Sequence, residues 1–110
     1  MTRQTLGELE HQVMLAVLRL GGEAYSVPVV AELETRTGRE VAQAAVYIVL
    51  RRLEEKGLLR SRMDEGSVEE TGRVRRYFRT TPLGMRRVRE SRAALERLWE
   101  GLDVLLDEAK

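Results

Sequence analysis

Five side chains, Gln43, Ala44, Tyr47, Ile48 and Arg51, are spaced so that a helix carrying them would show them on one face. Their chemistry suits the edges of nucleic-acid bases. A glutamine amide can pair at two points with adenine, an arginine with guanine or a phosphate, and an isoleucine can meet a thymine methyl. Tyr47 stays open between a contact of this kind and a half-buried helix residue with its hydroxyl in water. A second group, Arg73, Arg75 and Arg76, lies in the run "RVRRYFR" and could reach phosphates or an adjacent minor groove.

Other chemistry finds little support. His11 is the only histidine and has no acid cluster near it in sequence, so it reads as a surface or packing residue. Glu54-Glu55 and Glu69-Glu70 are adjacent pairs, which do not face each other on a helix and have no nucleophile beside them. There is no glycine-rich phosphate loop and no metal-ligand spacing. No enzyme, cofactor or metal is expected.

The elements that must position these side chains follow from periodicity. Leu6, Leu9, Val13, Ala16, Val17 and Leu20 form a helical stripe that ends at Gly21-Gly22. Ser26 is the expected cap of a second helix, with Pro28 in its first turn, burying Val30 and Leu33 and stopping at Thr37-Gly38. After a short connection with Val41, a third helix runs from about Ala42 to Lys56 and is closed by Gly57. Its apolar positions Val46, Val49, Leu50 and Leu53 make one stripe, and Gln43, Ala44, Tyr47, Ile48 and Arg51 lie opposite.

The period then changes. "LLRSRM" (58–63) and "RVRRYFR" (73–79) alternate: Leu59 and Met63 against Arg60 and Arg62, then Val74, Arg76 and Phe78 against Arg75 and Tyr77. With "DEGSVEETG" between them they make a β-hairpin, and a hairpin after the third helix is a wing. Thr81 can cap a last helix with Pro82 at its first position. The expected fold is mainly α with a small β-hairpin (α+β), a winged helix-turn-helix over residues 1–81 and a C-terminal dimerisation helix over 82–110. In such a fold the third helix lies in the major groove.

The composition agrees. A chain of 110 residues, 34% charged and 43% apolar, is about one soluble folded domain. No apolar run is long enough to span a bilayer, no secretory layout is present and cysteine is absent; a cytoplasmic protein is expected. The net charge of +1 hides a division. Residues 73–92 hold eight arginines against Glu90, while 93–110 hold five acids against Arg97 and Lys110. Local positive charge is the footprint expected for a phosphate backbone, and equally of a solvated face neutralised by acids elsewhere in the fold.

"LGELEHQVMLAVL", "AVYIVLRRLEEKGLL" and "TGRVRRYFRTTPLG" together resemble the PadR-type winged-helix transcriptional regulators, from about Leu6 to Gly84 in order and spacing. The resemblance implies a homodimer that represses transcription, sometimes released by a small phenolic or drug-like molecule. It places Tyr47 at the family's DNA-facing tyrosine, and Arg73, Arg75 and Arg76 on its basic wing strand. Ala42-Gln43-Ala44, Ile48 and Thr80 depart from the family's usual residues, which bears on the operator sequence. A winged-helix protein–protein interaction module without DNA binding, its basic wing meeting an acidic protein, is the alternative.

The last helix is expected to run unbroken from Pro82 to about Asp107, roughly 39 Å at ~1.5 Å per residue. That is longer than the small core can cover. Val88, Leu95, Leu102 and Ala109 fall in one column of a seven-residue repeat and Leu98 and Leu105 in the next, with Trp99 and Leu106 beside them. Pairing with a second copy would bury this stripe; folding back on the first helix is the other solution. The homodimer implies an inverted-repeat operator in double-stranded DNA. Trp99, the only tryptophan, either fills the interface or packs on the first helix, or meets its own copy in a slot for a planar aromatic effector.

Overall fold

The computed structural model describes residues 6–66, 72 and 74–108. Helix α1 (Glu8–Arg19) buries Val13, Met14, Ala16 and Val17, and its chain reverses at Gly21-Gly22, where the Gly22 amide donates to the Val17 carbonyl. A two-residue strand β1 (Glu23–Ala24) follows, then α2 (Ser26–Thr37) and α3 (Gln43–Glu55). The stripe of α3 is as its spacing predicts, with Val46, Val49, Leu50 and Leu53 all buried. On α2 the buried valine is Val29, not Val30, which only flanks the core. Ser26 is not the cap either. Tyr25 holds that position, and Ser26 is the first helical residue, its side chain turned toward α3.

Strands β2 (Leu59–Asp64) and β3 (Arg75–Thr80) form the wing, and β1 pairs with the other edge of β3. The sheet is antiparallel in the order β1-β3-β2, with Phe78 of β3 opposite Ala24 on one side and Ser61 on the other. Phe78 is fully buried against the helices, a contribution of roughly 1.5–3 kcal/mol.

Thr81 caps helix α4 (Pro82–Trp99) as expected: its Oγ1 accepts from the Gly84 amide at 3.0 Å and donates to the Gly57 carbonyl at 2.7 Å. Of the glycines, Gly84 sits in the tightest place. A methyl group there would lie 2.1 Å from the Leu58 carbonyl oxygen and 3.0 Å from the Met14 side chain. Only glycine lets α4 seat this deeply, and the seating buries Val88 and Ser91.

Two expectations about the last helix are corrected. It is not continuous: Glu100 leaves helical geometry with ψ 126°, Gly101 has φ +78°, and a separate α5 (Leu102–Glu108) begins beyond them. Val88 is not available to a partner, because it belongs to this chain's own core. Beyond Ser91 the arm leaves that core, and Leu95, Leu98, Trp99, Leu102 and Leu105 are exposed. Ala109 and Arg73 lie outside the described residues.

A buried acid ties the N-terminus to α3. Glu10 accepts from the Gly7 amide at 3.0 Å and from Lys56 Nζ at 2.6 Å. Burial alone would raise its pKa, but the two donors hold it below the ordinary carboxylate value.

Candidate nucleic-acid interface

The solvent side of α3 carries what its spacing predicts. Gln43 and Ala44 are exposed in the first turn, and Ile48 stands 57% exposed one turn on. Tyr47 is 38% exposed, and its ring meets the buried Phe78 edge-on, centroids 6.0 Å apart at 77°. The core phenyl thus orients a ring whose remaining surface faces outward. Gln43 Nε2 donates to Ser26 Oγ at 3.2 Å, which fixes the amide between the starts of α2 and α3 and leaves its oxygen and second hydrogen to outside partners. Arg51 lies 3.4 Å from Glu54, a turn further along.

The wing arginines separate by the face they occupy. Strand alternation puts Arg75 on the outer face, where its guanidinium stacks 4.4 Å from the Tyr25 ring centroid. Tyr25 in turn contacts Tyr77 at 5.3 Å, and Arg62 covers Tyr77 at 4.9 Å while binding Glu23 through two hydrogen bonds of 3.0 and 3.2 Å. The Arg62 hydrogen bonds hold Glu23 below its usual pKa and raise that of Arg62. Arg76 shares the inner face with Phe78. Its Nη1 donates to Ser61 Oγ at 2.9 Å, and its Nε is buried with no hydrogen-bond partner among the described residues. Where Arg76 was expected to reach out to phosphate, its guanidinium is held at Nη1 inside the wing.

Tyr25, Ser26, Gln43, Tyr47, Arg75 and Arg76 line a recess of about 410 Å³ between the start of α2, α3 and the wing. The fold thus brings four expected residues together there, while Ala44, Ile48 and Arg51 continue along α3. Tyr25 was not singled out by sequence, and Ser26 only as a helix cap; their places here depend on β1 and α2 meeting α3 and the wing, which no local pattern encodes. Arg60 and Arg79, directly opposed on the outer face and both exposed, were also missed. Glu23 of β1, opposite Arg79 on its other side, supplies an anion beside the pair.

A second groove, about 640 Å³, runs between α1 and α4 and is lined largely by Leu6, His11, Leu15, Ala94, Leu95 and Leu98. Burial lowers the pKa of His11 there. Trp99 is exposed at the end of α4. Among the described residues no group of acids and histidines could hold a metal ion, and no helix is long and apolar enough to cross a membrane.

With this geometry in hand, comparisons place the chain. The model of the transcriptional regulator PadR-like family matches residues 14–90. A PadR family transcriptional regulator from Eggerthella lenta is 36% identical, superposes with a TM-score of 0.69, and the match covers 86% of this chain and 80% of that one. A winged-helix DNA-binding protein from STIV, 12% identical over 83% of this chain and 90% of its own, shares the fold with a TM-score of 0.67. BpsR of Bordetella bronchiseptica, whose DNA binding is regulated by 6-hydroxynicotinic acid, is 26% identical over 88% of this chain and 64% of its own, with a TM-score of 0.65. No curated protein sequence matches. By the family model and the Eggerthella relative, the chain belongs to the PadR-like family of transcriptional regulators.

Proposed function

We propose that the protein is a homodimeric, sequence-specific regulator of transcription that represses by occupying an inverted-repeat operator in duplex DNA. The observation that carries this reading is the solvent side of α3, where Gln43, Ala44, Tyr47, Ile48 and Arg51 are presented beside the Arg75 edge of the wing. The helix enters the major groove with Gln43, Ala44, Tyr47 and Ile48 toward base edges, and Arg51 and Arg75 toward phosphates. Arg73, two positions before Arg75 in the sequence, is a further proposed phosphate contact.

Dimerisation rests on the arm. Leu95, Leu98, Leu102 and Leu105 leave too much apolar surface open for a free monomer, and the α1–α4 groove offers matching apolar walls. A planar aromatic effector near Trp99 is the further element of the reading, supported by the regulation of the BpsR neighbour by an aromatic acid.

The test is a mobility-shift titration against the DNA flanking the protein's own gene, followed by a reporter assay with and without the protein. Retardation that fades with salt, and higher reporter output without the protein, are expected. A chain that retards none of these duplexes at low salt, yet captures an acidic protein through its wing, would replace this reading with that of a protein–protein module.

A further inference from the structure

Glu54 is an acid in the last turn of α3, on the helix proposed to enter DNA, where a negative charge would repel phosphate. Its surroundings explain what it does there. Oε2 accepts from the Ser61 backbone amide at 3.2 Å and from the Ser61 hydroxyl, while Oε1 lies 3.4 Å from Arg51 Nε. Because the Ser61 hydroxyl spends its proton on Glu54, its lone pairs face Arg76, whose Nη1 donates to it at 2.9 Å. One carboxylate thereby holds a residue of α3, a residue of β2 and, through the serine, a residue of β3.

We propose that Glu54 and Ser61 are positioning residues of DNA recognition: the Arg51–Glu54–Ser61–Arg76 relay sets the wing at a fixed offset from α3. The relay rests on the DNA-binding reading and deepens it. A mis-set wing costs most on the matched duplex, where helix and wing must both be in register. It costs little on arbitrary duplex, where phosphate contacts tolerate a shift. The number of phosphates neutralised is unaffected, so the salt slope stays the same.

The experiment begins with duplexes enriched from a random pool by the wild-type chain. Ser61→Ala should bind the enriched duplex on the order of tenfold more weakly, the value of one hydrogen bond to a charged group. Its affinity for unrelated duplex should stay within about twofold, since the phosphate contacts remain. Ser61→Thr, which keeps the hydroxyl, should restore wild-type binding, and Glu54→Ala should narrow the preference for the enriched duplex as Ser61→Ala does, while binding unrelated duplex more tightly because a negative charge beside Arg51 is gone. In the free protein, the Arg76 Nη1–H held by Ser61 should exchange slowly in the wild type and Ser61→Thr but rapidly in Ser61→Ala. Equal exchange in all three overturns the relay whatever the DNA shows. A wild-type chain that enriches no duplex overturns the DNA reading, and the inference with it. An enriched duplex that Ser61→Ala binds as well as the wild type, or a loss equal on both duplexes, overturns the inference alone.

Discussion

Leu50 and Leu98 both lie on apolar stripes of amphipathic helices, yet Leu50 is fully buried and Leu98 is 72% exposed. The contrast extends to whole regions. From α1 to Ser91 every stripe finds its cover inside the chain; beyond Ser91 leucines, a valine and the tryptophan stand open on two helices. Periodicity states that a face must be covered and is silent on whose atoms cover it. The glycines differ in the same way. Gly84 is required by a backbone 2.1 Å from where its side chain would be, Gly101 by its own positive φ with nothing among the described residues within 4 Å.

That difference gives the largest expected effect. Gly84→Ala should destabilise the winged unit by about 3 kcal/mol, at the upper end for overpacking, despite alanine's better helix propensity. Gly101→Ala should cost only about 1 kcal/mol, all of it in the arm. Thermal melting of both variants distinguishes them; equal melting temperatures would erase the contrast.

If the arm holds the proposed dimer together, ending the chain after Ser91 should next yield a monomer by sedimentation. Loss of bivalent binding should lower operator affinity about a hundredfold or more. A truncated chain that still sediments as a dimer would place the interface in the winged unit.

Tyr47→Ala sits between the regions, because its ring touches the core at one edge. Loss of the Phe78 contact should cost about 1 kcal/mol of stability. Operator affinity should fall about tenfold, as for one lost contact to a base or phosphate. A drop in melting temperature as large as that of Gly84→Ala would assign Tyr47 to the core.

These expectations also mark how far the sequence reaches. The α3 stripe, the alternating wing and the Thr81-Pro82 helix start were legible because each is a local pattern with one structural solution. Strand β1 was not, since two residues carry no periodicity and owe their form to the free edge of β3. The seven-residue column through Val88 ran across the boundary between core and arm, and the heptad concealed the break at Gly101. Arg76 is the instructive case. The alternation that places Phe78 inward places Arg76 inward too, but its charge suggested DNA. Its partner Ser61 became visible only once the strands were in register.

The smallest effect belongs to Glu10 and Lys56. The folded-state pKa of Glu10 is depressed, so its contribution is present above the unfolded carboxylate value and lost as pH falls through the folded one. Lys56→Met should therefore cost about 1 kcal/mol at neutral pH, discounted for the half-exposed lysine. In acid below the carboxylate range the two proteins should melt alike. A difference that persists there would trace to packing rather than charge.

The account's central claim, that two copies present α3 and the wing to one duplex, is tested most directly by hydroxyl-radical footprinting on a duplex enriched by the wild-type chain. Two protected backbone segments on one face, with centres about 34–36 Å apart, one helical turn, are expected. A single protected segment, or uniform cleavage at saturating protein, would contradict it.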